Sequence, residues 1–380
     1  MANIPQENFV KAITQNNQIT DTNAINGFFI KYNRLSIMNR IFQQSEWHNC
    51  DTIDIYIDMN SITKELFYNR PPVNGKEEIT STIINLCGHY REYYRRYHQC
   101  RTKFYIIYSI NRPTCCSAAF DEYNSRTILE QMSKPVIYDM IMGSCSHLEA
   151  LCPYLPDIFF IYSAYETNVA IFDSIEFREK HPWPALILSK DAMMYQILPF
   201  SKRAILMRPV KHRKESEKGS MLFDDSVFIT SMETIPAVVK YVMKCKYEPI
   251  YNSISPALLS MIYTLHGLDK RNVPMLLNTK ETFDVIYHGL EWNFIDNRYY
   301  PNPDEVYDLL SIEKFGVGKK EIHDRFIALD MLTQHNIMQN EISLGVDDYA
   351  NHIINLQDPD KVKYENATTF AKCPIILDNL

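Results

Sequence analysis

The chain has 380 residues, 46% hydrophobic and 22% charged, with 39 Lys and Arg against 46 Asp and Glu for a net charge of −7. That composition excludes wholesale disorder, and only 10 Gly against 25 Tyr and 19 Phe excludes a collagenous or low-complexity chain. An acidic chain is not an obvious nucleic-acid binder, so any such role needs a local basic face.

Residues 1–50 are polar and rich in Asn and Gln, with a helix expected over 32–42. They read as an N-terminal extension and lack the basic and apolar regions of a signal peptide. No apolar stretch reaches the roughly 18 residues of a membrane span. The nine Cys have no framework or zinc spacing, and reduced thiols in a cytoplasmic setting are expected. Thr52-Ile-Asp-Ile-Tyr-Ile-Asp58 alternates Ile with polar or aromatic residues and predicts a strand that delivers Asp58 at its carboxyl end. A helix follows over 76–98, with Ile79, Ile83, Ile84, Leu86 and Tyr90 on its apolar face and Arg91, Arg95 and Arg96 in its last turns.

Further strands are expected over 103–108, 158–162 and 185–188, with a helix over 166–178. Strands separated by helices imply βαβ units, hence an α/β fold with a parallel sheet flanked by helices. Beyond residue 200 the texture changes. Residues 201–220 are basic, and helices are expected over 237–245, 256–265, 280–287, 306–310 and 321–334. The plan is an extension over 1–50, an α/β domain over 51–230 and a helical region over 231–380.

Ligands of an open parallel sheet bind beyond the carboxyl ends of its strands. Asp58, Ser109, Glu166 and the run Ser189-Lys190-Asp191 stand there. Three carboxylates, Asp58, Glu166 and Asp191, are thereby expected at one edge, as hard oxygen ligands for Mg²⁺ or Mn²⁺. The alternative is that strand-end Asp residues cap the helices that follow.

These residues resemble the flap endonuclease (5′-nuclease, XPG-like) family, a branch of the PIN-like fold. Asp58-Met-Asn stands where the family has its first-strand Asp. Tyr105-Ile-Ile-Tyr-Ser-Ile-Asn-Arg-Pro113 and Asp121-Glu-Tyr-Asn-Ser-Arg126 are similar to its second strand, FDG turn and following helix. Tyr165-Glu-Thr-Asn-Val-Ala170 is similar to the E-A-D-D helix start. Pro184-Ala-Leu-Ile-Leu-Ser-Lys-Asp-Ala-Met-Met-Tyr-Gln196 is similar to the strand and helix carrying two further aspartates. Leu265-His-Gly-Leu-Asp-Lys-Arg-Asn-Val-Pro274 resembles the entry to a helix-two-turn-helix that grips duplex DNA, with no glycine in the turn after Val273-Pro274.

The resemblance covers about 50–290 and implies a PIN-like fold, DNA as partner, and Mg²⁺ or Mn²⁺ bound by Asp58, Glu166 and Asp191. The departures are Ser109, Asn168, Val169 and Ser189, each where the family has an aspartate. They imply an eroded cluster with poor affinity for a second ion, and so a non-catalytic protein that binds DNA or serves in a viral assembly. A working metal-dependent 5′-nuclease is the alternative. The Asn, Ile and Tyr usage is in keeping with a large DNA virus or phage, which would put the protein in host cytoplasm or virion.

Lys202, Arg203, Lys211, Arg213 and Lys214, with Lys270 and Arg271, are the candidate phosphate contacts, sequence-independent in kind. The alternative for the 201–219 segment is a solvated loop. Asp173 is a candidate displaced ligand or a solvated helix residue. Gly316-Val-Gly-Lys-Lys320 lacks the spacing and preceding strand of a phosphate loop.

Overall fold

The computed structural model describes residues 31–33, 50–67, 72–109, 135–163, 165–198, 200–201, 203–209, 225–230, 257–267, 273–278, 288–293, 298–311 and 318–336, with isolated positions 47, 281–282 and 285. A seven-stranded sheet comprises β1 (Lys31–Asn33), β2 (Thr52–Asp58), β3 (Arg101–Ser109), β4 (Ile158–Ser163), β5 (Ala185–Leu188), β6 (Ala204–Pro209) and β7 (Asp225–Thr230), in the order β1-β7-β6-β5-β2-β3-β4. Strands β6, β5, β2, β3 and β4 run parallel, while β7 is antiparallel to β6 and to β1. Between them lie α1 (Met59–Phe67), α2 (Gly75–His98), α3 (Pro135–Leu151) and α4 (Thr167–Phe177). This is a PIN-like α/β sheet.

All seven residues of β2 are buried, as a central parallel strand requires. The pleat still separates two faces. Ile53, Ile55 and Ile57 join Ile79, Ile83, Tyr90 and Leu148 of α2 and α3 in one apolar layer. On the other face Tyr56 stacks on Tyr105 with centroids 4.9 Å apart, Tyr105 stacks on Phe159 at 5.2 Å, and the Arg178 guanidinium lies 4.5 Å from the Tyr105 ring. Helix α2 starts where the Glu78 carboxylate accepts the amides of Val73 and Asn74, and stops at Gln99, which takes the left-handed φ of 52°.

The C-terminal part comprises α5 (Ala257–His266), the hairpin β8 (Leu290–Asn293) and β9 (Arg298–Pro301), α6 (Pro303–Ser311) and α7 (Lys319–Leu329). Two buried polar junctions hold it to the sheet domain. The Gln196 carboxamide donates to Leu329 O and accepts from Ser260 Oγ and Met331 N. His335 Nε2 lies 3.1 Å from Asp173 Oδ1 and 3.3 Å from Glu176 Oε2.

Four sequence expectations change. Lys31–Asn33 is an edge strand, although a helix was expected from residue 32. Leu290–Asn293 and Arg298–Pro301 pair as antiparallel strands inside a stretch expected to be helical, and the Trp and Tyr residues in these runs have strand propensity. The helix expected over 321–334 breaks at Asp330, whose carboxylate caps Thr333 instead. The sequence pattern predicts neither α1 nor α3. The expected helix over 237–245 and most of that over 280–287 lie outside the described residues.

Candidate active-site edge

The chain leaves β2 for β3 and β4 on one side, then returns to place β5 on the other. Beyond the carboxyl ends of β2 and β5 is therefore the switch point, where an open α/β sheet leaves a crevice. Register pairs Ile57 with Leu188, so Asp58 and Ser189 are the next residues out on adjacent strands. Ser189 Oγ donates to Asp58 Oδ2 at 2.5 Å and accepts from the Asp191 amide at 3.0 Å. Asp58 Oδ1 accepts from Ser61 N at 3.0 Å, and Asp191 Oδ1 accepts from Met193 N at 3.0 Å. Both aspartates thus cap the turns that follow them, the simpler of the two expected roles. A further bond from Lys190 N to Ser61 Oγ, at 2.7 Å, closes β5 onto α1.

Glu166 occupies the N-cap position of α4 and is buried, but its side chain makes no capping bond. Its neighbour Thr167 donates to Asn60 Oδ1 at 2.9 Å. Asn60 also pairs with Ser109, donating to the carbonyl and accepting from the amide, each at 2.7 Å. The structure therefore links Asp58 to Asp191 through one hydroxyl, and links the Glu166 turn to the Asp58 turn through Asn60. Among the described residues no three His, Cys, Asp or Glu side chains stand close enough to hold a metal ion.

The donor set fits a two-ion centre poorly. Ser109, Asn168 and Ser189 are neutral, and both oxygens of Asp58 already accept protein hydrogen bonds. Asn168 is buried, and its Oδ1 lacks a hydrogen-bond partner. If one ion were held here, Asp58, Glu166 and Asp191 would be its charged ligands.

Arg203 is a correction. Expected at phosphate, it is 5% exposed, and its Nη2 lies 2.7 Å from Asp54 Oδ2. Its Nε donates to Trp183 O at 2.7 Å and its Nη1 to Arg178 O. A buried Asp54 in the middle of the sheet demands a cation, and Arg203, the residue before β6, supplies it from two strands away. The sequence signal was present in the Asp set among the Ile residues of β2. Lys202, Lys211, Arg213, Lys214, Lys270 and Arg271 lie outside the described residues.

Asp173 is neither solvated nor at the carboxylate edge, since it is buried against His335. Lys319, in the run that echoes a phosphate loop, pairs with Asp308 and Asp304 at 3.2 and 3.5 Å. Gly267 closes α5 with φ +82°, and the chain folds back so that Leu276 N and Leu277 N both reach Leu265 O. Residues 268–272 of the expected DNA-grip entry are not among those described.

Sheet order, crossover pattern and switch point define an open, mainly parallel α/β sheet with a crevice at one edge. The D15 flap endonuclease of bacteriophage T5, crystallised with metal ions, superposes with a TM-score of 0.52 at 11% identity, covering 82% of this chain and 99% of that one. The same enzyme as a pseudo-enzyme–product complex with DNA and metal ions gives 0.50 at 10% identity, with the same coverage. No protein-family model matches the sequence, and no curated protein does. The chain has the fold of the flap endonucleases.

Proposed function

We propose that this protein is a nuclease-fold DNA-binding protein whose metal–carboxylate cluster has decayed, so that it holds DNA without cutting it. The observation that carries the reading is the neutral Ser189 hydroxyl set against Asp58. One oxygen takes the Ser61 amide, the other takes the Ser189 hydroxyl, and the edge balances itself with neutral donors where a cation centre needs uncommitted negative charge. DNA is the partner favoured by the fold, because the T5 enzyme that shares it has been seen with DNA and metal ions. Binding would be sequence-independent and carried by phosphate contacts, with Lys202, Lys211, Arg213, Lys214, Lys270 and Arg271 as the candidates. The domain plan stays as read from the sequence, 1–50, 51–230 and 231–380. A role in a viral assembly fits a retained fold with a weakened site.

The second reading is a working 5′-nuclease using one Mg²⁺ or Mn²⁺ on Asp58, Glu166 and Asp191. It is favoured by the shared edge of Asp58 and Asp191 and by the unpartnered Asn168 oxygen. A labelled 5′-flap duplex incubated with the protein in Mn²⁺ and in Mg²⁺, beside an Asp58→Ala control, separates the two. Metal-dependent cleavage that the substitution abolishes overturns the decayed-site reading. Retention of the duplex with a steep loss as salt rises, and no cleavage above the control, is the expected result.

A further inference from the structure

Asn60 lies two residues beyond Asp58, where β2 has already turned into α1 and has no backbone left to pair with β3. The backbone ladder between these strands ends at Asp58 and Ile107. Ser109, two residues further along β3, is fully buried, and its amide and carbonyl would have no strand partner on the β2 side. The Asn60 carboxamide supplies one, with the Nδ2–H to the carbonyl and the amide to Oδ1, each at 2.7 Å. Donor and acceptor thus stand in for a missing backbone rung. The same Oδ1 takes a third bond, from the hydroxyl of Thr167 at 2.9 Å. Thr167 is the first residue of α4, directly after Glu166. An amide has two donor and two acceptor positions, and three are used here.

We propose that Asn60 is the positioning residue of the carboxylate edge. Its carboxamide sets the distance from the Asp58 turn to the first turn of α4, and so the spacing of Asp58 and Glu166. The importance of that spacing rests on the reading of this edge as the working surface. The bond pattern itself does not. Asp58 is held to Ser61 in α1 and to Ser189 beyond β5, and Asn60 carries the tie from this turn to Ser109 at the end of β3 and to Thr167 at the start of α4. Asn60 connects the two halves. One oxygen serves both Ser109 N and Thr167 Oγ1, and a carboxamide of this length adds the donor that the Ser109 carbonyl takes, which gives the position its chemical requirement.

The test is residue-resolved amide exchange on the full chain, comparing the parent with Asn60→Ala and Asn60→Asp. Asn60→Ala is expected to speed exchange at Ser109, Thr167 and Ser61 by ~tenfold beyond any change in the centre of β2, since three bonds are lost locally. Asn60→Asp keeps the two acceptor bonds and loses the donor, so exchange at Thr167 should stay closer to the parent. Equal acceleration at all amides would mean Asn60 serves only global stability and would overturn the proposal, as would no change at all. Duplex retention by the same variants supplies a separate answer. Local loosening with unaltered retention upholds the Asn60 tie and counts against this edge as the DNA surface.

Discussion

Replacing Ser189 by Asp places a second carboxylate directly against Asp58. The Ser189 hydroxyl lies 2.5 Å from Asp58 Oδ2, so a carboxyl group there has little room to withdraw. Two charges about 4 Å apart at an effective dielectric of about 20 repel by roughly 4 kcal/mol. The lost hydrogen bond to a charged acceptor adds about 1.5–3 kcal/mol. Rotation of the new side chain and uptake of a proton relieve part of this, leaving an expected destabilisation of about 2–4 kcal/mol near neutral pH in chelator. The repulsion raises the folded-state carboxyl pKa above its unfolded value of about 3.9, so the deficit is absent below that pH and grows as pH rises through the raised value.

A divalent cation seated between the two carboxylates reverses the sign. At a hundredfold excess over its dissociation constant it returns about 2.7 kcal/mol, a gain the parent should not show. Urea unfolding of parent and Ser189→Asp, each in chelator and in Mn²⁺, reads both effects. A variant as stable as the parent in chelator would refute the stated contact. A variant whose deficit Mn²⁺ leaves untouched would refute the claim that the missing charge is what weakens the centre.

Three other outcomes can be checked on the same protein. Arg203→Met leaves the buried Asp54 with His181, 3.4 Å away, as its remaining polar neighbour and should cost about 3–5 kcal/mol in urea unfolding, and a second change of Asp54→Leu should recover most of it. Gly267→Ala meets a left-handed φ and sets a Cβ 2.7 Å from Met275 N and Val273 O, so about 2–4 kcal/mol should be lost by chemical denaturation. Burial, aided by Cys50 and Asp51, pushes the Cys100 thiol up to about 12, and burial, aided by Glu149, does the same at Cys145. Thiol-reagent labelling of both should be slow in the native chain and fast in denaturant. Because these thiols hold their protons longer when folded, stability should fall as pH rises from about 9 through about 12, which urea midpoints across that range would register.

Much of the sheet was legible because its strands are written in short apolar runs. The runs 52–58 and 185–188 predict their strands to the residue, since a buried parallel strand is written in β-branched and apolar residues bounded by turns. Helix α2 was legible from its apolar stripe and its basic last turn. Helix α3 escaped notice because apolar residues surround most of Pro135–Leu151, which blurs the periodicity. The hairpin Leu290–Pro301 escaped for a different reason, as two four-residue strands carry too little pattern to outweigh helical neighbours.

The identity of the candidate site residues, Asp58, Glu166 and Asp191 at strand ends, lay in the linear order, because a parallel sheet delivers the residue after each strand to one edge. How they meet did not. That Asp58 touches Ser189, that Asn60 replaces a backbone rung and reaches Thr167, and that Arg203 turns inward to Asp54 depend on which strands are neighbours and in what register. Local sequence carries the period of each element and the chemistry of its ends. Hydrogen bonds between residues more than a hundred positions apart are chosen only when the sheet assembles, since each buried polar group must then find a partner among whatever the packing has brought beside it.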